Sequence, residues 1–331
     1  MKRSARPAGR RFQTRPLVEG ALLAALTVVL ILAGLYIPLL GMAALFLWPI
    51  PVLVIYLRHG FRAALLTLVV AGLVLSTFVG PVAGATTVVS LGTLALAFGF
   101  GASRRMSAGA VLALGTGAAL VSMVITLSIS LWVMHINVFE VDQRLMQDSM
   151  TYALNFYSRV GVGAETLQPL RDMLDASFQL IPLIVPAIVI LAACMTAIIN
   201  YLVAAAVLKR LGHELPALPA FKDWRLPVWL VAGYPLAFAL EYAFQRTGVV
   251  LYDRVAINLS ALSTPFYVLQ GLALAYFFLE RLHLAKWLRV VVLVYVPLVP
   301  VLSQIVAWAG LFDMLFNMRH LARAEPGTAP S

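Results

Sequence analysis

Long runs of apolar residues fill most of the chain, and short groups of polar and charged residues separate them. Most of these runs are near the length of about 20 residues that a helix needs to cross the hydrocarbon core of a membrane. In hydrocarbon every backbone N–H and C=O group must be bonded within its own element, so the runs are expected to be helices. We therefore predict an all-α fold, a polytopic transmembrane helical bundle of eight or nine spans, with candidates at 17–36, 38–57, 62–79, 84–101, 108–136, 180–208, 226–244, 257–280 and 288–314.

The composition agrees with this pattern. Of 331 residues, 62% are hydrophobic and only 11% are charged, whereas an ordinary soluble domain has about 25% charged residues. The chain therefore has no room for a sizeable soluble domain. We predict a basic cytoplasmic tail at 1–16, a membrane domain at 17–320 and a flexible C-terminal tail at 321–331.

The basic residues predict the orientation. If the N-terminus is inside, the tail and the inner loops hold 17 Lys and Arg residues, and the outer loops hold five. Cytoplasmic loops of membrane proteins carry such an excess, which predicts a cytoplasmic N-terminus in a multi-pass protein of the bacterial inner membrane. The net charge of +10 is accordingly expected to attract anionic membrane lipid, and no nucleic acid partner is predicted.

The last apolar run leaves the number of spans open. It contains Pro297 and Pro300, which must kink or break a helix. A broken or re-entrant final element would return the C-terminus to the cytoplasm, whereas nine full spans would leave it outside. Beyond these prolines, Asp313 is expected to pair with Arg319 or to cap a neighbouring helix.

The segment 137–179 differs from the other loops because it is polar, long and acidic, with six Asp and Glu residues against three Arg. Its apolar residues recur at near-helical spacing in two stretches, one before and one after about residue 163. This pattern predicts two extracytoplasmic amphipathic helices. Either they lie on the outer membrane face, or they cover a cavity as a lid.

Two prolines in the second predicted span indicate a candidate ligand site. Pro49 and Pro51 each remove a backbone donor, and an interrupted helix at membrane depth is a common marker of a transporter's binding site. The neighbouring Trp48 could stack on a ring-shaped ligand. The alternative is a helix end at the outer interface, with Trp48 as its anchor.

A second candidate for ligand binding is Glu241, with Tyr242 beside it, near the outer end of the seventh predicted span. A carboxylate inside a membrane is costly, and it indicates a functional site or a specific partner. The alternative is a structural pair with Arg246.

The first span carries small residues four apart, Gly20 with Ala24 and Ala21 with Ala25. Such residues let another helix backbone approach closely. They indicate either packing within this protein or a docking face for a separate membrane partner.

Catalytic, metal and cofactor chemistry have no support in the sequence. HExxH, GxSxG, CxxC and the phosphate-binding GxxxxGK[ST] motif are all absent, and the single cysteine, Cys194, lies in an apolar run. We predict no enzyme activity, no catalytic residues, no cofactor and no metal site. Active transport by this chain would then need a gradient or a partner ATPase.

The motifs resemble those of one family. A basic tail precedes the stretch from Leu17 to Thr27, then come Tyr36-Ile37-Pro38, Trp48-Pro49-Ile50-Pro51 and the stretch from Tyr56 to Arg62, and Gly310-Leu311-Phe312-Asp313 stands near the end. Over about 16–320 the chain resembles the YybS-like family of bacterial predicted membrane proteins, whose function is unknown.

That family is distantly similar to the S components of energy-coupling-factor transporters, which bind a vitamin or metal ion and dock on a coupling protein with ATPases. The resemblance implies docking through Ala21 and Ala25, which match an Ala-x-x-x-Ala stripe of S components. It implies no ligand-binding residue, and S components are shorter, typically with six spans.

We therefore expect a small-molecule membrane transport component, with an unknown ligand that enters from outside and a partner that supplies energy. A non-catalytic membrane scaffold in envelope assembly or division is the alternative. An intramembrane enzyme acting on lipid-linked substrates is a third possibility, with only Glu241 and the acidic segment to support it.

Overall fold

A computed structural model describes residues 14–37, 41, 44, 46–133, 135 and 138–319. Within these ranges every regular element is a helix, which confirms the all-α prediction. Residues 1–13 of the predicted basic tail, and the whole predicted tail 321–331, lie outside the described residues. The α-helices are α1 (Thr14–Tyr36), α2 (Pro49–His59), α3 (Phe61–Val79), α4 (Pro81–Ser103), α5 (Ala108–Trp132), α6 (Val138–Arg159), α7 (Ala164–Arg210), α8 (Gly233–Thr247), α9 (Val250–Arg281), α10 (Lys286–Leu298) and α11 (Pro300–Phe316), and the 3₁₀-helices are Phe221–Asp223 and Val228–Ala232.

Fewer helices than predicted have the length and apolarity of a membrane span. Six qualify among the described residues, and the bent pair of α10 and α11 makes a seventh if it is counted as one span. The predicted count of eight or nine is not confirmed, and neither is the orientation of the N-terminus. The six are Pro16–Tyr36, Phe61–Val79, Pro81–Ser103, Ala108–Trp132, Leu180–Arg210 and Val250–Arg281.

Two of the predicted spans are not among these six, and each contains a short helix with a proline in its first turn. In the predicted span 38–57, part of which lies outside the described residues, α2 begins at Pro49 and has 11 residues, about 16 Å of helix. In 226–244 a 3₁₀-helix precedes α8, which has 15 residues and carries Pro235 in its first turn. A proline in the first turn costs no hydrogen bond, because the N–H groups there have no partner within the helix.

The predicted break in the last apolar run is confirmed. α10 and α11 meet at Val299 with a bend of 105°. Arg289, near the start of α10, bonds Glu280, which also accepts from Lys222. Beyond α11, Arg319 donates to the carbonyl of the same Lys222. The pair therefore begins and ends beside one segment, and its bend fits either a broken span or a re-entrant element.

The chain folds into two compact units, residues 1–138 with 192–217 and residues 139–191 with 218–331. In the first unit, α1 packs on α2 and α3, and α4 packs on α2, α3 and α5. Small residues make this packing close: a Cβ on Gly99 would lie 2.4 Å from the Tyr56 ring, and one on Gly72 would lie 2.5 Å from Val88. Close backbone approach through small residues is usual in membrane bundles.

In the second unit, α9 is the central helix and packs on α8, α10 and α11. Its fully buried Tyr267 donates to the carbonyl of Leu230 at 2.7 Å. Gly271 of α9 and Gly310 of α11 meet so closely that a Cβ on either would lie 2.0 Å from a carbonyl oxygen of the other helix. The core of this unit consists of Tyr234, Tyr267, Val268, Leu272, Ala307, Leu311 and Met314.

The two amphipathic helices predicted within 137–179 are present, but the second does not end before the membrane. It is the first part of α7, a helix of 47 residues in total that runs through Pro169, Pro182 and Pro186. A helix of this length is about 70 Å long. Along α6, Tyr152 is 76% exposed and Phe156 is 62% exposed. The extracytoplasmic placement of this segment stays a prediction.

The side chain of Asn258 of α9 forms hydrogen bonds with backbone groups of α7 near Pro186. Its amide donates to the carbonyl of Leu183 at 2.7 Å and accepts from the amide of Ala187 at 3.0 Å. An undisturbed α-helix would pair these two α7 groups with each other. A neighbour's side chain thus satisfies backbone groups beside a proline, which an irregular helix in hydrocarbon requires.

Candidate functional site

An apolar groove of about 510 Å³ runs along α1 and α2 in the first unit. Glu19 of α1 and Arg58 of α2 line its polar end. There, Arg58 Nη1 lies 3.7 Å from Glu19 Oε2. The rest of the lining is apolar and consists of Leu22, Leu23, Leu26 and Leu30 of α1, Leu47, then Ile50, Pro51 and Val54 of α2, and Val207 and Leu211 at the end of α7.

Two glycines turn the chain at this polar end. Gly60 ends α2 with a φ of +83°, and its N–H bonds the carbonyl of Tyr56. Gly212 follows α7 with a φ of +76°, and the next amide, that of His213, bonds the carbonyl of Leu208 at 2.9 Å. This is the Schellman arrangement that commonly ends a helix, and it places His213 beside α2.

The polar side chains form a connected cluster. His59 Nε2 donates to Glu19 Oε2 at 2.7 Å, and Arg58 Nη1 lies 3.7 Å from the same oxygen. Arg58 also donates from Nε to His213 Nε2 at 3.3 Å. The cluster therefore joins α1, the end of α2 and the end of α7 at one end of an apolar groove, which suits a ligand with an apolar body and a polar head.

The three ligand-binding residues predicted in the second span have different positions. Pro51 lines the groove, and Pro49 is buried at the start of α2. Trp48 is engaged within the protein, since its indole N–H donates to the carbonyl of Leu30 at 3.1 Å and its ring lies against Gly34. A stacking role for Trp48 would require this contact to open.

Glu241 and Tyr242, the other predicted ligand-binding residues, lie exposed on α8 in the second unit. Arg246 contacts Tyr242, through a bond from Nε to the hydroxyl at 3.1 Å and through its position over the ring. Among the described residues Glu241 makes no ion pair with Arg246, so the structure adds no support for that structural alternative. A single site that joins Glu241 to Trp48 and Pro51 stays a prediction.

The predicted docking stripe divides into two faces. Gly20 and Ala24 are buried against α3, where a Cβ on Gly20 would lie 3.1 Å from Thr67 Oγ1. Ala21 and Ala25 are exposed, because successive residues of a helix point about 100° apart. Packing within the protein is thus confirmed for Gly20 and Ala24, and docking through Ala21 and Ala25 stays a prediction.

A second polar cluster lies in the second unit, where the predicted pair of Asp313 and Arg319 is confirmed. Arg319 Nη2 donates to Asp313 Oδ2 at 2.8 Å, and Gln270 Nε2 donates to the same oxygen at 2.7 Å. Arg319 also donates to the carbonyls of Lys222 and Trp224. Burial lowers the pKa of the Arg319 guanidinium, and Asp313 opposes that change. We interpret this cluster as an anchor of the chain after α11.

The cluster at the groove was not predicted as a site. Arg58, His59 and Glu19 were visible only as parts of motifs, and His213 gave no signal of its own because it is far away in sequence. The useful signal was Glu19, a carboxylate within an apolar run. No group of three or more His, Cys, Asp or Glu residues in the described part of the chain could hold a metal ion.

Comparison with known proteins supports the family resemblance. Residues 25–314 match a family described as "Predicted membrane protein (DUF2232)". The "Uncharacterized protein YybS" of Bacillus subtilis (strain 168) is 23% identical over 308 residues, which cover 93% of this chain and 98% of that protein. No solved structure matches the chain. The distant similarity to S components is not shown by these matches and stays a prediction.

Proposed function

Since the chain belongs to the DUF2232 family of predicted membrane proteins, we propose that it is the ligand-binding component of a membrane transport system. The observation that carries this proposal is the groove along α1 and α2, whose volume of about 510 Å³ is that of a small-molecule site. An apolar wall that ends in one polar cluster suits an amphipathic molecule. The chain lacks a phosphate-binding GxxxxGK[ST] motif, so a partner would supply the energy.

The position of the groove changes the expected route of the ligand. Entry from outside was the expectation from the sequence. The groove, however, ends at Glu19 and Arg58, and the distribution of basic residues predicts that this end faces the cytoplasm. We therefore propose that the ligand reaches the groove from the cytoplasmic half of the membrane.

The exposed face of α1 that carries Ala21 and Ala25 is the proposed contact for the energising partner. Small side chains permit close approach of a partner helix, and burial of the neighbouring Gly20 and Ala24 holds α1 fixed against α3. This assignment uses the analogy with S components, which dock on a coupling protein with ATPases.

The experiment is affinity purification in a mild detergent, with mass spectrometry of the proteins and small molecules that co-purify. We expect a membrane coupling protein with ATPases and a bound amphipathic molecule. Leu26→Trp, which fills the groove, should remove the molecule but keep the partner, whereas Ala21→Leu should do the reverse. If both variants retain both companions, the proposal is wrong.

A membrane scaffold is a second candidate function, because α6 exposes a row of apolar and aromatic side chains that includes Tyr152, Phe156 and Val160. An exposed apolar face of this kind marks a contact with lipid or with a protein. Recovery of envelope or division proteins, with no small molecule, would favour the scaffold over the transport component.

A further inference from the structure

At one end of the groove, Arg58 has a hydrogen-bond donor that no described residue engages. Arg58 lines the groove, and its side chain is 41% exposed. Its Nε bonds His213, and its Nη1 faces Glu19 at 3.7 Å. The remaining nitrogen, Nη2, has no partner among the described residues, so the guanidinium can still offer donors to a ligand. Arginine is well suited to phosphate and carboxylate groups because its donors form a planar fork.

The charges around this end favour an anion. Besides Arg58, the exposed Lys209 and Arg210 precede the groove residue Leu211 at the end of α7. The carboxylates nearby are Glu19 and the exposed Glu214, so three cationic groups stand against two anionic ones when the histidines are neutral. Glu19 already accepts a bond from His59, which reduces its repulsion of an incoming anion.

The length of the groove matches one leaflet of a membrane. Its lining on α1 extends from Glu19 to Leu30, and 11 residues of rise correspond to about 16 Å. Half of the hydrocarbon core of a bilayer is about 15 Å. A lipid with its head at Arg58 could therefore place one acyl chain along the groove without leaving its own leaflet.

We infer that this groove binds an anionic membrane lipid, with a phosphate head at Arg58 and an acyl chain along α1 and α2. This inference rests on the proposed function, since it names the class of ligand for the same site. In the predicted orientation the lipid comes from the cytoplasmic leaflet. Headgroup selection depends on Arg58, and retention of the chain depends on the leucines of α1.

Native mass spectrometry of the full chain in a neutral detergent tests this inference. Dioleoyl phosphatidylglycerol and dioleoyl phosphatidylcholine are titrated separately. Both lipids offer a phosphate to Arg58, but phosphatidylcholine also carries a choline cation, which the guanidinium of Arg58 repels. We therefore expect the net-anionic lipid to bind about tenfold more tightly. Arg58→Gln should remove this preference and Arg58→Lys should keep most of it. Arg62→Gln, an exposed basic residue outside the groove lining, should leave the preference unchanged.

The outcomes separate the inference from the proposed function. Equal binding of the two lipids, or an equal loss of preference in Arg58→Gln and Arg62→Gln, would overturn headgroup selection and indicate general attraction to a basic surface. Leu26→Trp should then still reduce both lipids, which would leave the groove as a ligand site. If Leu26→Trp changes neither lipid, the groove is not the binding site, and both proposals fail. A melting curve for each variant identifies those that do not fold.

Discussion

The buried pair of Asp313 and Arg319 provides the sharpest test of the fold, and the perturbation is Arg319→Gln. The two side chains are only 3% and 2% exposed. Asp313 Oδ1 is buried without a hydrogen-bond partner, so loss of Arg319 would leave a buried carboxylate with Gln270 as its one described partner. Breaking a buried pair in this way costs about 3–5 kcal/mol of the free energy of unfolding.

The converse change, Asp313→Asn, should cost less. Arg319 would keep its bonds to the carbonyls of Lys222 and Trp224, and the new amide oxygen could still accept from Gln270. We expect about 1–3 kcal/mol, the cost of one impaired buried hydrogen bond. The double variant should be more stable than the sum of the single changes predicts, because the pair acts as a unit.

The assay is unfolding of the purified chain by titration of dodecyl sulfate into a neutral detergent, followed by circular dichroism. The matched control is Arg225→Gln, which removes an exposed arginine that bonds Asn317 nearby; an exposed contact of this kind is worth about 1 kcal/mol or less. If Arg319→Gln is no more destabilising than this control, or if Asp313→Asn is the more harmful change, the account of the cluster is wrong.

Three further predictions use the same unfolding assay. Gly310→Ala should cost about 1–3 kcal/mol because its Cβ would lie 2.0 Å from a backbone carbonyl of α9, whereas Gly109→Ala, with nothing within 4 Å, should not destabilise; equal effects would contradict the close helix contact. Asn258→Leu should lower the free energy of unfolding by about 1–2 kcal/mol, since it leaves α7 backbone groups unbonded. An unchanged stability would show that these hydrogen bonds do not support α7. Ala24→Leu, on the buried face of α1, should destabilise the protein by about 1–3 kcal/mol. Ala21→Leu, on the exposed face, should change the free energy of unfolding by no more than about 0.5 kcal/mol. The reverse order would show that the two faces are wrongly assigned.

Local patterns in the sequence were sufficient for several features. The apolar runs predicted an all-α membrane chain, because hydrocarbon leaves the backbone no other partner than its own helix. The break near Pro297 and Pro300 followed from the missing backbone donors. The amphipathic spacing within 137–179 predicted helices there, and the pair of Asp313 and Arg319 was among the expected contacts because only six positions separate the two residues.

The count of spans was less predictable, for a physical reason. Hydropathy registers an apolar run whether or not one helix extends through it. Pro49 begins a helix of 11 residues, and Pro235 lies in the first turn of a helix of 15 residues. An apolar run that contains such a helix start looks the same in sequence as a full crossing. The identity of the helix that covers each small residue is also absent from the local pattern, so the sequence could not show whether the Gly20 face or the Ala21 face is the one that packs against a neighbour.

By itself, then, the sequence determined that this is a membrane protein, that it is helical and where its helices must break. Each of these depends on residues close together in the chain. Only the tertiary structure decided which side chains share a site. Glu19, Arg58 and His213 come from three distant segments, and two glycines with positive φ turn the chain so that they meet. Contacts of this kind depend on how the helices pack, and helix packing is a property of the whole unit rather than of any local run.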